Sequence, residues 1–367
     1  MAFNKKSLGQ WILMISNCLA LSIGGCVGTL LIRFYFLHGG NRIWLCAWLQ
    51  TAGCPLLFLP IWISSRTTKS SESTHVTRNL CLASAVIGVL TGLDNFLYSW
   101  GLAYLPLSTS SLVIAPQLAF NAFFAFFLVK QKFTPYSING IILLIMGAVM
   151  LAFHANGDRP KGVTKEQYWL GFFAAGLAAA LYGFILPLIE LVYKKTTVRI
   201  TYTLVMEMQL IMSFSATVFC TIGMLVNKDF QAIGREASLS DVGEFKYYMS
   251  LVWTAISWQL FFIGVYGVIF LTSSLWSAVL MSSLTPVVEV LAVILFHEKF
   301  TGEKGMALAM ALWGFTSYFY GEYKSSIVQT SNMPEEHRQG SESAVTPKGE
   351  ELSLELVVEE PKSDKTT

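Results

Sequence analysis

Charge is what this chain has least of. Asp, Glu, Lys and Arg make up 13% of its 367 residues, against roughly 25% in a soluble domain. With 54% hydrophobic residues and a mean hydropathy of +0.54, that scarcity excludes an ordinary soluble fold. Cysteine is sparse too. The six, Cys18, Cys26, Cys46, Cys54, Cys81 and Cys220, fall in or at the ends of apolar stretches, so neither a disulfide framework nor a metal site is indicated. No HExxH, GxSxG or kinase-type set occurs, and no Lys-Ser/Thr follows Gly24-Gly25 or Gly39-Gly40, so enzyme chemistry finds no support. A cleavable signal is not expected either, because Lys5 and Lys6 precede an apolar run longer than a signal core.

What the chain does have is apolar length. Ten stretches, at about 10–32, 43–63, 80–103, 108–129, 134–153, 168–193, 199–226, 251–272, 275–296 and 304–323, each approach the spanning length. A helix needs about 20 residues to cross a hydrocarbon core of about 30 Å. The expectation is an all-α integral membrane protein with ten transmembrane helices. The mixed-charge connection 227–250 is read as a candidate surface helix. Residues 325–367 hold nine of the 23 acids but four of the 25 bases, with few large apolar side chains. Such a segment cannot bury enough surface to order itself, so a disordered acidic tail is expected.

An internal repeat organises the rest. At an offset of 167 residues, Lys130-Gln131-Lys132-Phe133-Thr134 falls on His297-Glu298-Lys299-Phe300-Thr301, Ser110 on Ser277 and Gly147 on Gly314. The tight connections at Tyr104–Leu107 and Ser273-Ser274 also superpose. Five spans per repeat is an odd number, so the second copy must enter the membrane from the other side. The chain therefore reads as two inverted five-helix repeats, 1–153 and 154–324, ahead of the tail 325–367, an arrangement common in secondary transporters. Lys and Arg divide almost evenly between the two faces, so the positive-inside rule gives no orientation.

Lys and Arg mark the ends of the spans, whereas acids occur within them: Asp94, Glu207, Glu289 and, nearer an end, Glu190. An ionisable side chain inside a membrane is costly and is a functional candidate by default. A cavity without cations suits neutral or cationic substrates better than phosphate or sulfonate groups. Thr91, Asp94, Asn95 and Tyr98 recur at helical spacing and form one polar face. A cavity wall or a hydrogen-bonded helix–helix contact would both produce such a face. Gln117, Asn121 and Phe124 share another face beside Pro116, and Pro286 precedes Glu289 near the equivalent place. Paired helix interruptions point to a binding site, and the amides of Gln and Asn suit the edge of a nitrogen heterocycle. Trp48 is the candidate stacking residue, on a face with Trp44, Thr51 and Pro55. Glu207, well inside its span, and Glu289 are the candidate proton carriers. Glu190, after Pro187 and just before Tyr193-Lys194, reads as interfacial. The glycines, Gly24, Gly25 and Gly28 among them, read as helix-packing positions.

Several of these segments together resemble the plant purine permease family. They are Gly92-Leu93-Asp94-Asn95 with Tyr98, Leu105-Pro106-Leu107-Ser108-Thr109-Ser110, Gln117 to Phe124, Trp48 to Gly53 with Pro55, Leu275-Trp276, and Pro286-Val287-Val288-Glu289. The likeness runs from about residue 10 to 324. It implies the ten-helix inverted repeat of the drug/metabolite transporter superfamily, proton-coupled uptake of adenine, cytokinin bases and related purines, and a plasma-membrane protein with cytoplasmic termini. Some members carry alkaloids such as nicotine, or vitamin B6-type compounds. The expected partners are a small heterocycle, protons and the lipid bilayer, with no nucleic acid and no cofactor. Two alternatives stand beside this reading. A nucleotide-sugar or sugar-phosphate antiporter would need cationic cavity residues, and a receptor or scaffold would work through the acidic tail.

Overall fold

In the computed structural model the described residues are 8–67, 76–130, 134–153, 162–196, 200–298 and 300–331, and their regular structure is helical. In chain order they form α1 (Leu8–Leu37), α2 (Ile43–Ala52), a short 3-10 turn (Cys54–Leu57), α3 (Phe58–Thr67), α4 (Arg78–Tyr104), α5 (Leu107–Ile114) and α6 (Gln117–Val129). Then come α7 (Pro135–Phe153), α8 (Lys165–Lys195), α9 (Tyr202–Val226), α10 (Asp229–Leu239), α11 (Glu244–Leu271), α12 (Ser274–Ser283), α13 (Thr285–Phe296) and α14 (Gly302–Ser331). Among these residues, eight spans are long and apolar enough to cross a membrane: Gly9–Leu37, Ile43–Trp62, Arg78–Tyr104, Leu107–Val129, Lys165–Lys195, Tyr202–Val226, Glu244–Leu271 and Ser274–Phe296. The other two expected spans are the helices α7 and α14, of which α7 is strongly apolar over Pro135–Gly147. This is a multi-pass membrane protein. The helix α14 runs to Ser331, beyond the expected tail boundary, and the rest of the tail lies outside the described residues.

The apolar residues divide as a bilayer demands. Along α1, Ile12, Ile15, Leu19 and Ile23 are each more than half exposed and form an outward stripe, while Asn17 and Leu21 are buried. Helices can present such a stripe to lipid because their backbone groups are paired internally. Three spans are interrupted, and proline marks each break. Pro55 lies in the 3-10 turn, Pro116 precedes α6, and Pro286 opens α13. Lacking an N–H, proline cannot continue the hydrogen-bond ladder from the preceding turn.

Inside the bundle α1 packs along α11, α4 lies against α8 and α9, α6 against α8, and α7 against α14. Several features recur at the 167-residue offset. Both α6 and α13 end on a left-handed residue, Lys130 (φ 56°) and His297 (φ 51°). A Cβ on Gly140 would meet Gly314 O at 2.5 Å, and one on Gly147 would meet Ala307 O at 3.3 Å. Residues 140 and 307 are one repeat apart, as are 147 and 314, so the two close approaches exchange under the offset.

The mixed-charge connection does hold a surface helix, α10, fixed by one cation. Arg42 lies 3.0 Å from Glu236 and 3.4 Å from Asp229, and Tyr35 donates to Glu236 at 2.8 Å. Burial pushes the Asp229 carboxyl above its usual range, although Asn227 and Arg42 both pull it down. A carboxyl raised by folding favours the folded state below its titration range and loses that benefit as pH rises through it. Arg42→Ala removes one of the opposing pulls. We expect it to cost about 2 kcal/mol near neutral pH, discounted from a fully buried pair because Arg42 is partly exposed. The deficit against the parent should be larger at pH 8 than at pH 5 in thermal unfolding of the detergent-solubilised protein. Equal deficits at the two pH values would remove Asp229 as its source.

Candidate functional site

The cavity lies where α1, α4, α8 and α11 meet the broken spans α5–α6 and α12–α13. About 130 Å³ of it is open to the centres of water-sized molecules, room for on the order of ten waters. Asp94, Asn95 and Tyr98 enter from α4, Gln50 from α2, Ser110 and Gln117 from the α5–α6 break, and Ser282 and Thr285 from the α12–α13 break. Aromatic walls come from Tyr98, Tyr182, Trp258 and Phe261. Among the described residues, no Lys or Arg lines it.

Each wall is held from behind. Gln50 Nε2 donates to Ser99 Oγ at 2.9 Å and to the Asn95 carbonyl at 3.3 Å, which pins α2 to α4. Tyr98 and Thr29 share a hydroxyl–hydroxyl bond of 2.9 Å, and the Tyr98 ring meets Trp258 edge-on with centroids 5.5 Å apart. Trp258 and Phe261 come this close to α1 because it presents glycine. A Cβ on Gly28 would meet Trp258 Nε1 at 2.8 Å, and one on Gly24 would overlap the backbone of Ser257 and Phe261.

Against this fixed frame, Asp94 Oδ1, Asn95 Nδ2, Ser110 Oγ, Tyr182 Oη and Trp258 Nε1 are buried without a hydrogen-bond partner. All five belong to lining residues. Buried polar atoms are normally paired, and each one left over costs about 1–3 kcal/mol. An acceptor, donors and hydroxyls around flat apolar walls can pair with the edge of a planar ring that carries both donors and acceptors, while its faces pack against the aromatic rings.

A family model described as purine nucleobase transmembrane transport matches residues 12–327. Purine permease 3 of Arabidopsis thaliana is 47% identical over 341 residues, covering 91% of this chain and 97% of that protein. Purine permease 2 of the same plant is 49% identical, covering 86% and 93%. This chain belongs to the purine permease family. A protein solved by crystallography, 16% identical, matches with a TM-score of 0.54 over 86% of this chain and 98% of its own, and shares the fold alone. The permease relatives are transporters and not enzymes.

The permease cavity gathers four of the residues singled out from sequence: Asp94, Asn95, Tyr98 and Gln117. Asn121, one turn further along α6, is fully buried with both amide atoms unpaired, but it is not a lining residue. Phe124 packs edge-on against Phe184 at 5.1 Å. Trp48 is placed elsewhere. Its Nε1 donates to Thr221 at 3.0 Å and its ring meets Phe230, so the shared face of Trp44, Trp48 and Thr51 packs against α9 and α10. Glu207 on α9 is partly exposed and outside the lining, and Glu289 is fully buried beside the lining residue Val288. Glu190, read from sequence as interfacial, is enclosed by protein. It is buried and accepts hydrogen bonds from Ser274 N at 2.8 Å and Ser274 Oγ at 2.5 Å, with Lys194 at 2.7 Å. Buried cations also exist away from the cavity, at Arg33 and Lys304. Sequence reasoning missed Gln50, Tyr182, Trp258 and Phe261 as lining residues. The signal for the last two was Gly24 and Gly28, whose missing side chains make room for them.

Proposed function

We propose that this permease is a proton-coupled importer of purine bases and their derivatives, adenine and cytokinins among them. Asp94, Asn95, Tyr98 and Gln117 would read the ring edge, and the aromatic walls would hold its faces. The observation that carries the reading is the set of unpaired donors and acceptors between aromatic rings in a cavity without cations. It suits a neutral heterocycle and disfavours a sugar phosphate, which would be left without a counter-ion. Two inverted five-helix repeats supply the means of alternating access. The matched breaks at Pro116 and Pro286, the matched helix ends at Lys130 and His297, and the exchanged contacts of α7 and α14 support that architecture. The proposal includes a plasma-membrane location with cytoplasmic termini.

Yeast lacking its own purine carrier and expressing this chain should take up radiolabelled adenine faster at outside pH 5 than at pH 7. A protonophore should abolish the difference, and excess unlabelled cytokinin should compete. No uptake despite surface expression would remove adenine as a substrate. Uptake insensitive to the protonophore would remove proton coupling.

A further inference from the structure

One cluster of buried charge is not used by the cavity. At the start of α5, the Glu298 carboxylate accepts from Leu107 N at 2.7 Å, Ser108 N at 3.0 Å and Ser108 Oγ at 2.7 Å. Arg33 Nε, on α1, lies 3.4 Å from the same carboxylate, and Arg33 Nη1 donates to the Leu102 carbonyl at 3.1 Å. From α14, Lys304 Nζ donates to Ser108 Oγ at 2.6 Å, and Lys304 is fully buried. These bonds join the ends of α1 and α4, the start of α5 and the entry to α14. Leu102 and Leu107, inside the same ring of contacts, line the cavity. Helix N-termini attract carboxylates, but burying Arg33, Glu298 and Lys304 together is expensive. Ordinary helix capping does not need two buried cations.

Glu289 lies on the neighbouring helix α13, which packs against α5. It is fully buried, and neither of its carboxylate oxygens has a hydrogen-bond partner. The charged groups acting on it are Lys304 and Glu298. Of the elements packed against α13, α5 and α12 carry no charged side chain and no Asp, Glu, His, Cys or Tyr, and α1 carries Arg33 as its one charged residue. Among the described residues, Lys304 is the cation that acts on the Glu289 charge.

We propose that Glu289 is the proton-accepting side chain of the transport cycle, and that it works through Lys304 on a latch of Arg33, Glu298 and Ser108 closing one mouth of the cavity. The proposal rests on the proton-coupled reading above and assigns its residues. With that mouth open, hydronium gives its proton to a Glu289 carboxylate oxygen, leaving water and a neutral acid. Lys304, no longer drawn to that acid, holds Ser108 beside Glu298, and the start of α5 closes over the cavity. When the opposite mouth opens, the Glu289 proton passes to water there, the carboxylate charge returns, and Lys304 is pulled off Ser108. The helix α5 transmits the change inward, because Ser110, Ser111 and Ile114 on it line the cavity.

Cys26 lines the cavity and gives a native reporter. A membrane-impermeant methanethiosulfonate reagent is applied at pH 7.5 to intact cells and, separately, to inside-out vesicles. The rate for Cys26 is the difference between the full-length chain and its Cys26→Ser variant. Glu298→Gln should speed that labelling at least fivefold from one face only, and Glu298→Asp should return it towards the parent rate. Glu289→Gln, locked in the neutral form, should slow labelling at least threefold from the same face. The same variant should still exchange internal for external adenine, slowed no more than the labelling is, but lose acid-stimulated accumulation. Parent-like labelling in both Gln variants would overturn the latch, and acid-stimulated accumulation in Glu289→Gln would overturn the proton site. If the parent carries no adenine, the functional reading fails, while the labelling rates still decide the latch because they require no substrate.

Discussion

Asp94→Asn should lower purine uptake by about 30-fold or more with little loss of protein at the cell surface. Asp94 is 6% exposed on α4, and its Oδ1 has no partner. Nothing in the fold leans on that oxygen, so the amide, nearly identical in shape, should leave the helix packing intact. What changes is the chemistry offered to a ligand. The carboxylate is an acceptor at every lone pair, whereas the amide turns one of its two positions into a donor. A hydrogen bond to a charged group is worth about 1.5–3 kcal/mol, which corresponds to roughly 10- to 150-fold in affinity. If a ring N–H meets Asp94, the variant places a donor against a donor and also loses the charge. Initial uptake rates over a range of adenine concentrations, normalised to surface protein, measure the effect. A rise confined to KM assigns Asp94 to binding, whereas a fall confined to the maximal rate assigns it to a later step. Uptake within threefold of the parent would take Asp94 out of the site.

The candidate site was legible where helical spacing alone sets a face, and illegible where a partner helix decides. Asp94, Asn95 and Tyr98 stand on one face of α4, and a polar face on an apolar helix had only protein or cavity to point at. Trp48 was assigned to the cavity from the face it shares with Trp44 and Thr51. Spacing along α2 does not say which neighbour that face meets. It meets α9, where a Cβ on Gly223 would overlap the Trp44 ring and Thr217 Oγ1 donates to Thr51 at 3.0 Å. The cavity side of α2 carries Gln50 instead. Glu190 and Glu298 show the same limit. Each sits near a helix end, where a charge is ordinarily solvated, and each is buried only because the start of another helix comes down on it.

The fold was more legible than the site, because bilayer thickness sets span length and proline sets the breaks. Apolar runs located eight of the spans, while α11 begins seven residues before the expected start and α14 runs eight past the expected end. Their partners were hidden, since α1 and α11 are more than two hundred residues apart and only their small residues hint at contact. Those small residues also carry the largest expected effect on stability.

Gly24→Leu should cost the protein its folded state, by at least about 3 kcal/mol, since overpacking a filled interior commonly costs 1–3 kcal/mol and here backbone blocks the way. A Cβ at Gly24 would overlap Phe261 N and Ser257 O, which belong to the backbone of α11 and cannot rotate aside. The clash is met again from the other helix, where a Cβ on Gly264 would overlap Leu21 N and approach Asn17 O at 2.5 Å. Relief requires α1 and α11 to separate along their length. That movement carries Trp258 and Phe261 out of the cavity wall and Gly28 away from the indole. In a membrane, close packing of small residues supplies much of the attraction between helices, so the loss is not recovered by burying leucine in lipid. Gly176→Leu is the control, because a Cβ there meets nothing within 4 Å. Fluorescence-detected size exclusion after a heating series should show Gly24→Leu aggregated or at least about 10 °C less stable, with Gly176→Leu near the parent. If the two variants behave alike, the α1–α11 seam is looser than its geometry indicates, and the aromatic wall it positions cannot be rigid enough to hold a ring in register.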